Sequence, residues 1–265
     1  MTALSDALAK AKADNRAALI GYLPVGFPDV DTSIEAMLAL VGGGADVVEV
    51  GVPYSDPVLD GPTIQAAAQP AVRSGVGIDD ALRAVRAVHD AGAAAVIMSY
   101  WNPIERYGVD RFAAELAAVG GSGAITPDLI PDEAEPWLAA TDAHGLDRIF
   151  LVAPSSSDAR ISSTARATRG FLYAAAVMGV TGARQRVGDA AAALVDRARR
   201  QAPDLPICVG LGVSNGNQAA QVAAFADGVI VGSALVRCLL ERPDEQGLRA
   251  ARMLSAELAA GVRRR

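Results

Sequence analysis

Lysine and histidine are scarce in this chain, and this scarcity limits the chemistry that it can perform. Among 265 residues, only Lys10 and Lys12 are lysines, and only His89 and His144 are histidines. A covalent Schiff-base mechanism needs a buried lysine, whereas both lysines fall in the predicted first helix. Catalytic metal sites usually contain histidine, but both histidines fall on helical stretches, where we expect them at the surface. The sequence therefore disfavours a lysine Schiff base and a histidine-bound metal.

Cysteine is also scarce, and the chain has neither an excess of positive charge nor a long apolar run. The two cysteines, Cys208 and Cys238, are isolated, which fits neither a disulfide framework nor a zinc pattern. The formal net charge of −6 argues against nucleic acid as a partner, because phosphate neutralisation requires a basic surface. No apolar run approaches the roughly 18 residues of a membrane span, and Asp6 stands where a signal peptide would carry Lys or Arg. We expect a reduced, soluble, cytoplasmic protein.

The chain does contain eight apolar segments rich in β-branched residues, each followed by an amphipathic stretch. We predict strands at residues 18–23, 47–51, 95–100, 123–126, 148–153, 171–176, 207–212 and 228–232. Several are apolar throughout, as expected of parallel strands covered on both faces. Eight such units without a linker favour one domain over residues 1–265. We predict a (β/α)₈ TIM barrel with an extra N-terminal helix and a short extra helix after strand 8. A doubly wound open sheet is the alternative.

Two of the predicted helices carry signals about where they begin and whether they are continuous. Residues 32–35, Thr-Ser-Ile-Glu, match a capping box, which predicts a helix start at Thr32. Residues 63–74 have a helical pattern that contains Pro70. Because proline removes a backbone hydrogen bond and clashes with the preceding turn, we expect a kink or two short helices there.

Glu49 is the first candidate catalytic residue. It lies inside the apolar segment 47–51, and strand alternation places it on the opposite face from Val48 and Val50. If the valines face the helices, Glu49 points into the barrel. Burial there raises the pKa of a carboxyl group towards neutrality, which suits a general acid and base. A buried ion pair with an arginine is the structural alternative.

The loops after the predicted strands contain an acid and several glycines that could contact a ligand. Asp60 follows the second strand, but its spacing alone favours an Asx turn or a helix cap, with Thr63 as a competing cap. Residues 179–182, 210–212 and 232–234 offer the glycines and helix N-termini that bind phosphate. We expect acid–base catalysis by carboxylates on a phosphorylated substrate that supplies its own electron sink.

Residues 48–65, VEVGVPYSDPVLDGPTIQ, closely resemble the signature segment of the tryptophan synthase alpha chain family. Similar segments occur along nearly the whole chain: GYLPVGFP at 21–28, MSYWNP at 98–103, TPDLIP at 126–131, Tyr173, MGVTG at 178–182, GLG at 210–212 and GS at 232–233. The resemblance implies a TIM-barrel lyase of L-tryptophan biosynthesis that cleaves indole-3-glycerol phosphate to indole and glyceraldehyde 3-phosphate. In this retro-aldol reaction, protonation at C3 of the ring makes an indolenine, which needs neither lysine nor metal.

The resemblance also implies roles for individual residues. Glu49 is expected to handle the proton at C3 and the glycerol hydroxyl. Asp60 is expected to accept the indole N–H and stabilise the positive charge that develops there, while Tyr173 brings a hydroxyl to the substrate. The residues expected to sandwich the indole are Tyr22, Ile64, Tyr100, Ile125 and Ile230. Those expected at the phosphate cradle are Thr181, Gly182, Gly210, Leu211, Gly212, Gly232 and Ser233.

A partner is implied as well: a beta chain that uses pyridoxal phosphate, in an alpha2beta2 heterotetramer through which indole passes. The cofactor belongs to that partner, so we expect none in this chain. The loops at residues 53–60 and 178–187 are expected to order when substrate and partner bind. Two alternatives stay open: a barrel subunit that mainly binds and activates the beta chain, and another phosphate-binding TIM-barrel enzyme.

Overall fold

The computed structural model describes residues 1–176 and 184–264, with the backbone alone for residues 184–187. Within these ranges the strands are β1 (Ala18–Pro24), β2 (Val47–Gly51), β3 (Ala94–Met98), β4 (Gly123–Ile125), β5 (Asp147–Ile149), β6 (Leu151–Val152), β7 (Leu172–Ala175), β8 (Ile207–Gly210) and β9 (Gly228–Val231). The α-helices there are α1 (Ala3–Ala13), α2 (Val30–Gly42), α3 (Pro62–Arg73), α4 (Ile78–Asp90), α5 (Trp101–Tyr107), α6 (Val109–Ala118), α7 (Glu135–His144), α8 (Asp158–Ala167), α9 (Arg184–Gln201), α10 (Gly216–Ala223), α11 (Ser233–Glu241) and α12 (Glu245–Val262). A 3₁₀ helix spans Pro131–Glu133. In this described part of the chain, no helix has both the length and the hydropathy needed to cross a bilayer.

The strands are all parallel and form one sheet in the order β5-β4-β3-β2-β1-β9-β8-β7-β6. Its two end strands, β5 and β6, are consecutive parts of the predicted strand 148–153 and are separated only by Phe150. The Phe150 carbonyl accepts the N–H of Tyr173, whereas the Ile149 carbonyl accepts that of Thr126. The sheet therefore returns to itself as a barrel of eight βα units. The predicted TIM barrel is confirmed, and the open-sheet alternative is wrong.

The barrel has one core inside it and another between its strands and helices. Val48 and Val50 of β2 belong to the outer core, as alternation predicts. The inner core is formed by Leu4, Leu8, Ala11, Ala18, Ile20, Val47, Ala94, Val96, Ile125, Ile149, Phe171, Cys208 and Ile230. Since Leu4, Leu8 and Ala11 lie on α1, this helix closes the end of the barrel at which the strands begin.

Polar contacts hold α1 in that position. The Thr2 side chain caps the helix by accepting the Ser5 N–H, and its hydroxyl donates to Asp147 at 2.5 Å. The Leu4 N–H donates to the Ser122 hydroxyl at 3.1 Å. The predicted extra N-terminal helix is therefore anchored to the starts of β4 and β5. The short helix predicted after the last strand is α11.

Two local predictions are wrong. Helix α2 begins at Val30 rather than near Thr32, because the Asp29 side chain accepts the Thr32 N–H at 2.8 Å and caps the helix. Helix α3 is a single element with Pro70 inside it, so the two short helices are wrong, while the kink stays a prediction. The carbonyl that Pro70 leaves without a helical partner belongs to Ala66, on the exposed face of the helix where water can reach it.

Candidate active site

A cavity of about 210 Å³ opens where the strands end, opposite to α1. It is lined by Tyr22, Glu49, Leu59, Asp60, Ile64, Met98, Leu151, Tyr173, Ala175, Ala176, Gly210, Gly212, Ile230, Gly232 and Ser233. A wider surface groove of about 760 Å³ lies at the other end of the barrel, beside α1. That groove contains none of the predicted site residues, so the cavity at the carboxyl ends is the candidate active site, as is usual for TIM barrels.

Glu49 lies in β2 beside Tyr22 of β1 and points into the barrel. Its side chain is buried, and its Oε2 atom has no hydrogen-bond partner among the described residues. Burial, reinforced by the nearby charge of Asp60, raises the pKa of Glu49 to about 8. No arginine side chain that the structure describes forms an ion pair with it, so the described residues give no support to the structural alternative. The carboxyl group is neutral at pH 7 and can donate a proton.

Asp60 lies in the loop between β2 and α3, half-buried at the same cavity. Its carboxylate does not cap α3: Gly61 is the cap residue and supplies no side-chain hydrogen bond, and Thr63 lies within the helix. The cap assignment favoured by spacing is therefore wrong. Burial raises the pKa of Asp60, while contact with the Tyr100 hydroxyl opposes this rise. The site thus contains two carboxyl groups in different environments.

Two glycines make room for the tyrosine hydroxyls of the site. A Cβ atom at Gly210 would lie 2.5 Å from Tyr173 Oη, and one at Gly51 would lie 2.5 Å from Tyr22 Oη. Both positions are at the ends of strands, so any larger residue there would displace a tyrosine. Burial is the main cause that raises the pKa of both phenols. Both phenols therefore remain neutral near pH 7.

The glycine-rich side of the cavity is suited to an anion. Gly212 has φ +66°, a left-handed conformation that glycine adopts without strain. Gly232 precedes α11, whose N-terminus is not capped by a side chain. The first N–H groups of that helix lie beside Ser233 at the cavity wall, an arrangement that binds phosphate. Thr181 and Gly182, also predicted for the cradle, lie outside the described residues, as does part of the loop 178–187.

Three other predicted residues do not line the cavity. Ile125 is fully buried in the inner core and is paired in register with Met98 of the neighbouring strand. The Leu211 side chain packs in the outer core, where it lines a separate cleft of about 110 Å³, so only its backbone faces the glycine-rich side. Tyr100 packs against the loop that carries Asp60, since its hydroxyl accepts the Leu59 N–H at 3.0 Å.

Sequence reasoning missed five residues of the cavity wall: Leu59, Met98, Leu151, Ala175 and Ala176. Period-2 alternation along β3 identifies Met98, because Val96 two residues earlier faces the barrel interior. Leu151 has no such signal, since the strand is interrupted beside it at Phe150.

Neither histidine lines the candidate active site. His89 and His144 are both exposed. In residues 1–176 and 184–264, no group of three or more His, Cys, Asp or Glu side chains is arranged to hold a metal ion.

The fold and the site together define a class of protein: a TIM barrel with two carboxyl groups in the cavity at the carboxyl ends of its strands, beside a helix N-terminus that no side chain caps. Comparison with known proteins gives the particular family. The chain belongs to the tryptophan synthase alpha chain family, whose sequence model matches residues 8–263. It is therefore a lyase of tryptophan biosynthesis, which cleaves indole-3-glycerol phosphate to indole and glyceraldehyde 3-phosphate by a retro-aldol reaction.

The relatives cover nearly the full length of the chain. The tryptophan synthase alpha chain of Thermobifida fusca is 61% identical over 266 residues, covering 99% of this chain and 98% of that protein. A chain in a crystal structure of tryptophan synthase from M. tuberculosis is 56% identical, with a TM-score of 0.91 and 99% of both chains covered. Tryptophan synthase subunit alpha from Legionella pneumophila is 34% identical, with a TM-score of 0.89 over 99% of this chain and 98% of that one.

Proposed function

We propose that Glu49 performs both proton transfers of the cleavage. The observation that carries this proposal is the buried Glu49 carboxyl group, which has an unpartnered oxygen in a cavity that it shares with Asp60. With a pKa of about 8, Glu49 begins the reaction as a neutral acid at pH 7. A general acid whose pKa lies near the working pH is the most effective kind.

The proposed sequence of steps returns every group to its starting state. Glu49 donates its proton to C3 of the indole ring, and the positive charge is delocalised to the ring nitrogen. The Glu49 carboxylate then takes the proton of the glycerol hydroxyl next to the ring. As the aldehyde C=O forms, the bond between C3 and the glycerol carbon breaks, and its electron pair restores the indole. Glu49 is again protonated when indole and glyceraldehyde 3-phosphate leave.

Asp60 and Tyr173 are the other proposed catalytic residues. An ionised Asp60 carboxylate accepts the indole N–H and stabilises the positive charge on the ring nitrogen. The Tyr173 hydroxyl, held neutral by burial, donates a hydrogen bond to the substrate. Three side chains of the cavity wall, those of Tyr22, Ile64 and Ile230, support a flat apolar ring. We keep Ile125 as a buried support of this wall.

The proposed phosphate site lies at Gly210, Gly212, Gly232 and Ser233, where backbone N–H groups and the start of α11 meet the cavity. We retain the Leu211 backbone, Thr181 and Gly182 as parts of the same site on the resemblance alone. A phosphate group held there positions the indole end of the substrate over Glu49.

We also propose that the chain forms an alpha2beta2 heterotetramer with a tryptophan synthase beta chain, and that pyridoxal phosphate belongs to that partner. The support is the family together with exposed apolar side chains near the cavity, with Val58 76% and Leu59 56% exposed. Exposed apolar patches are typical of interaction surfaces. We further propose that residues 1–265 form a single domain and that the protein is cytoplasmic. The enzyme family supports both proposals.

Replacement of Glu49 by Gln tests the catalytic assignment. The substitution preserves size but removes the transferable proton, so we expect indole release to fall by about 10²–10⁴-fold. Binding of an uncleavable indole alkyl phosphate should change little. Glu35→Gln, an exposed acid on α2, is the matched control and should retain full activity.

The assay measures indole release from indole-3-glycerol phosphate, with and without a beta chain. Turnover of Glu49→Gln within twofold of the unaltered chain would remove Glu49 from the mechanism. If the unaltered chain released no indole in either condition yet accelerated the reaction of the beta chain, the binder-and-activator alternative would replace the proposal.

A further inference from the structure

Tyr100 holds the loop that carries Asp60. It follows β3 and is 5% exposed, yet it does not line the cavity. Its hydroxyl oxygen accepts the Leu59 N–H at 3.0 Å. The backbone amides of this loop, that of Leu59 first, oppose the rise in the pKa of Tyr100 that burial causes. The tyrosine hydroxyl thus holds the loop backbone immediately before Asp60.

The same loop also contacts the face of the Tyr100 ring. Tyr54 stacks on it, with ring centroids 4.9 Å apart and an angle of 28° between the planes. The Tyr54 hydroxyl in turn accepts a hydrogen bond of 3.5 Å from Asn102 Nδ2. Tyr100 is therefore held between two parts of one loop, at its ring and at its hydroxyl.

The loop has few other anchors near Asp60. Val58 and Leu59 are mostly exposed, and the Asp60 carbonyl is bonded only to the exposed Gln65 side chain, at 2.7 Å, in the described structure. A loop with few buried contacts opens at little cost in free energy. The contact with buried Tyr100 is therefore a main determinant of the position of Asp60.

Asp60 is the next residue after Leu59, so the bond from the Leu59 N–H to Tyr100 fixes the backbone beside it. The Tyr100 hydroxyl in turn opposes the rise in the pKa of Asp60 that burial causes. The other titratable groups that face Asp60 are Glu49 in β2, Tyr22 in β1 and Tyr173 in β7. Glu49 is buried in the barrel, whereas Asp60 lies on the loop that Tyr100 holds, so a change at Tyr100 acts first on Asp60.

We propose that Tyr100 is a positioning residue that fixes the loop carrying Asp60, because its hydroxyl oxygen accepts the Leu59 N–H and its ring stacks on Tyr54. It replaces the role in the indole wall that the resemblance implied for this position. The inference rests on the proposed role of Asp60 in the cleavage. Tyr100 acts through Asp60 and does not touch the substrate.

Tyr100→Phe is the main test, because it keeps the stacked ring and removes only the hydroxyl. Loss of the bond to the Leu59 N–H should displace Asp60 and lower kcat by about 10- to 100-fold, with a smaller change in KM. Since the hydroxyl lowers the pKa of Asp60, its loss should also move the acid limb of the kcat/KM profile to higher pH. The basic limb, set by Glu49, should stay in place.

Tyr107→Phe is the matched control. The Tyr107 hydroxyl also bonds to carboxylates, those of Asp79 and Glu115, but it lies away from the cavity. This variant should keep kcat within twofold and leave both limbs of the pH profile unchanged. A circular dichroism melt of both variants checks that each chain is folded at the assay temperature.

The double variant Tyr100→Phe/Asp60→Asn shows whether the tyrosine acts through the aspartate. In the Asp60→Asn background, loss of the hydroxyl should cause less than a twofold further decrease. The proposal is overturned if Tyr100→Phe alone retains the wild-type kcat and pH profile. It is also overturned if Tyr100→Phe lowers kcat as much in the Asp60→Asn background as it does alone. If the double variant is too slow to measure, the kcat/KM profile of Tyr100→Phe decides: an acid limb at the wild-type pH overturns the proposal. Wild-type activity of Asp60→Asn alone would instead refute the proposed function of Asp60.

Discussion

At the scale of the single residue, Glu49 combines a catalytic benefit with a cost in stability. Its carboxyl group lies in the barrel without a basic partner among the described residues, and burial, with the charge of Asp60 second, raises its pKa to about 8. An exposed glutamate in the unfolded chain has a pKa of about 4.3. The folded protein therefore binds a proton that the unfolded chain has released between these two values.

This difference predicts a stability gain for Glu49→Gln that grows with pH. Between pH 4.3 and about 8 the folded state binds more protons, so the stability of the unaltered chain falls as pH rises, by up to about 1.4 kcal/mol per unit. Below this window the contribution of Glu49 is independent of pH. Urea titrations of both chains at pH 5 and pH 8 measure the effect. An equal difference in unfolding free energy at the two values would contradict the raised pKa.

Sequence reasoning at this scale succeeds where a residue depends on its own strand. The direction of Glu49 follows from alternation within residues 47–51, and the structure confirms it. The position of Asp60 does not follow, because the loop that carries it is bonded at Leu59 to Tyr100, 41 positions further along the chain. Contacts between distant segments leave no local pattern, which is why spacing alone favoured an Asx turn or a cap for Asp60.

At the scale of the element, competition between neighbouring polar residues decides where α2 begins. The capping-box pattern favours Thr32, but Asp29 also lies three positions before a suitable backbone donor, the Thr32 N–H. Asp29 Oδ1 accepts the Thr32 N–H at 2.8 Å, and Oδ2 accepts the Thr32 hydroxyl at 2.7 Å. Both bonds lower the pKa of Asp29, so the ionised carboxylate is the better cap.

Asp29→Ala should therefore destabilise the protein by about 1 kcal/mol, the usual loss for removal of an N-cap side chain. Glu35→Ala on the exposed face of the same helix is the control, and it should change stability by less than about 0.5 kcal/mol. Urea titration at pH 7 measures both. Equal effects of the two substitutions would mean that α2 starts without help from Asp29.

The order of strands and helices was more predictable than their ends. Each predicted strand overlaps an observed one, because apolar, β-branched segments between helical patterns need no tertiary information. The division of the fifth strand at Phe150 was not predictable, since it arises where the sheet closes and the segment pairs with β4 on one side and β7 on the other. The continuity of α3 across Pro70 depends likewise on which face of the helix is exposed.

At the scale of the whole molecule, the two ends of the barrel have different tasks. The loops and strand ends at one end form the cavity, and α1 closes the other end by packing Leu4 and Leu8 into the inner core. The extra N-terminal helix was expected from the sequence, but its use as a closure was not, because an amphipathic helix does not show which surface it covers. The inner core separates α1 from the catalytic groups.

This arrangement predicts that a cavity made beneath α1 lowers stability without affecting catalysis. Leu4 is fully buried, so Leu4→Ala should cost about 2–5 kcal/mol in unfolding free energy. Met253→Ala on α12, where the side chain is 73% exposed, should cost less than about 0.5 kcal/mol. Because Glu49 and Asp60 lie at the other end of the barrel, kcat of both variants should stay within twofold at a temperature at which they are folded. Urea titration and indole release measure the two quantities on the same samples. A large fall in kcat for folded Leu4→Ala would show that the inner core transmits changes at α1 to the cavity.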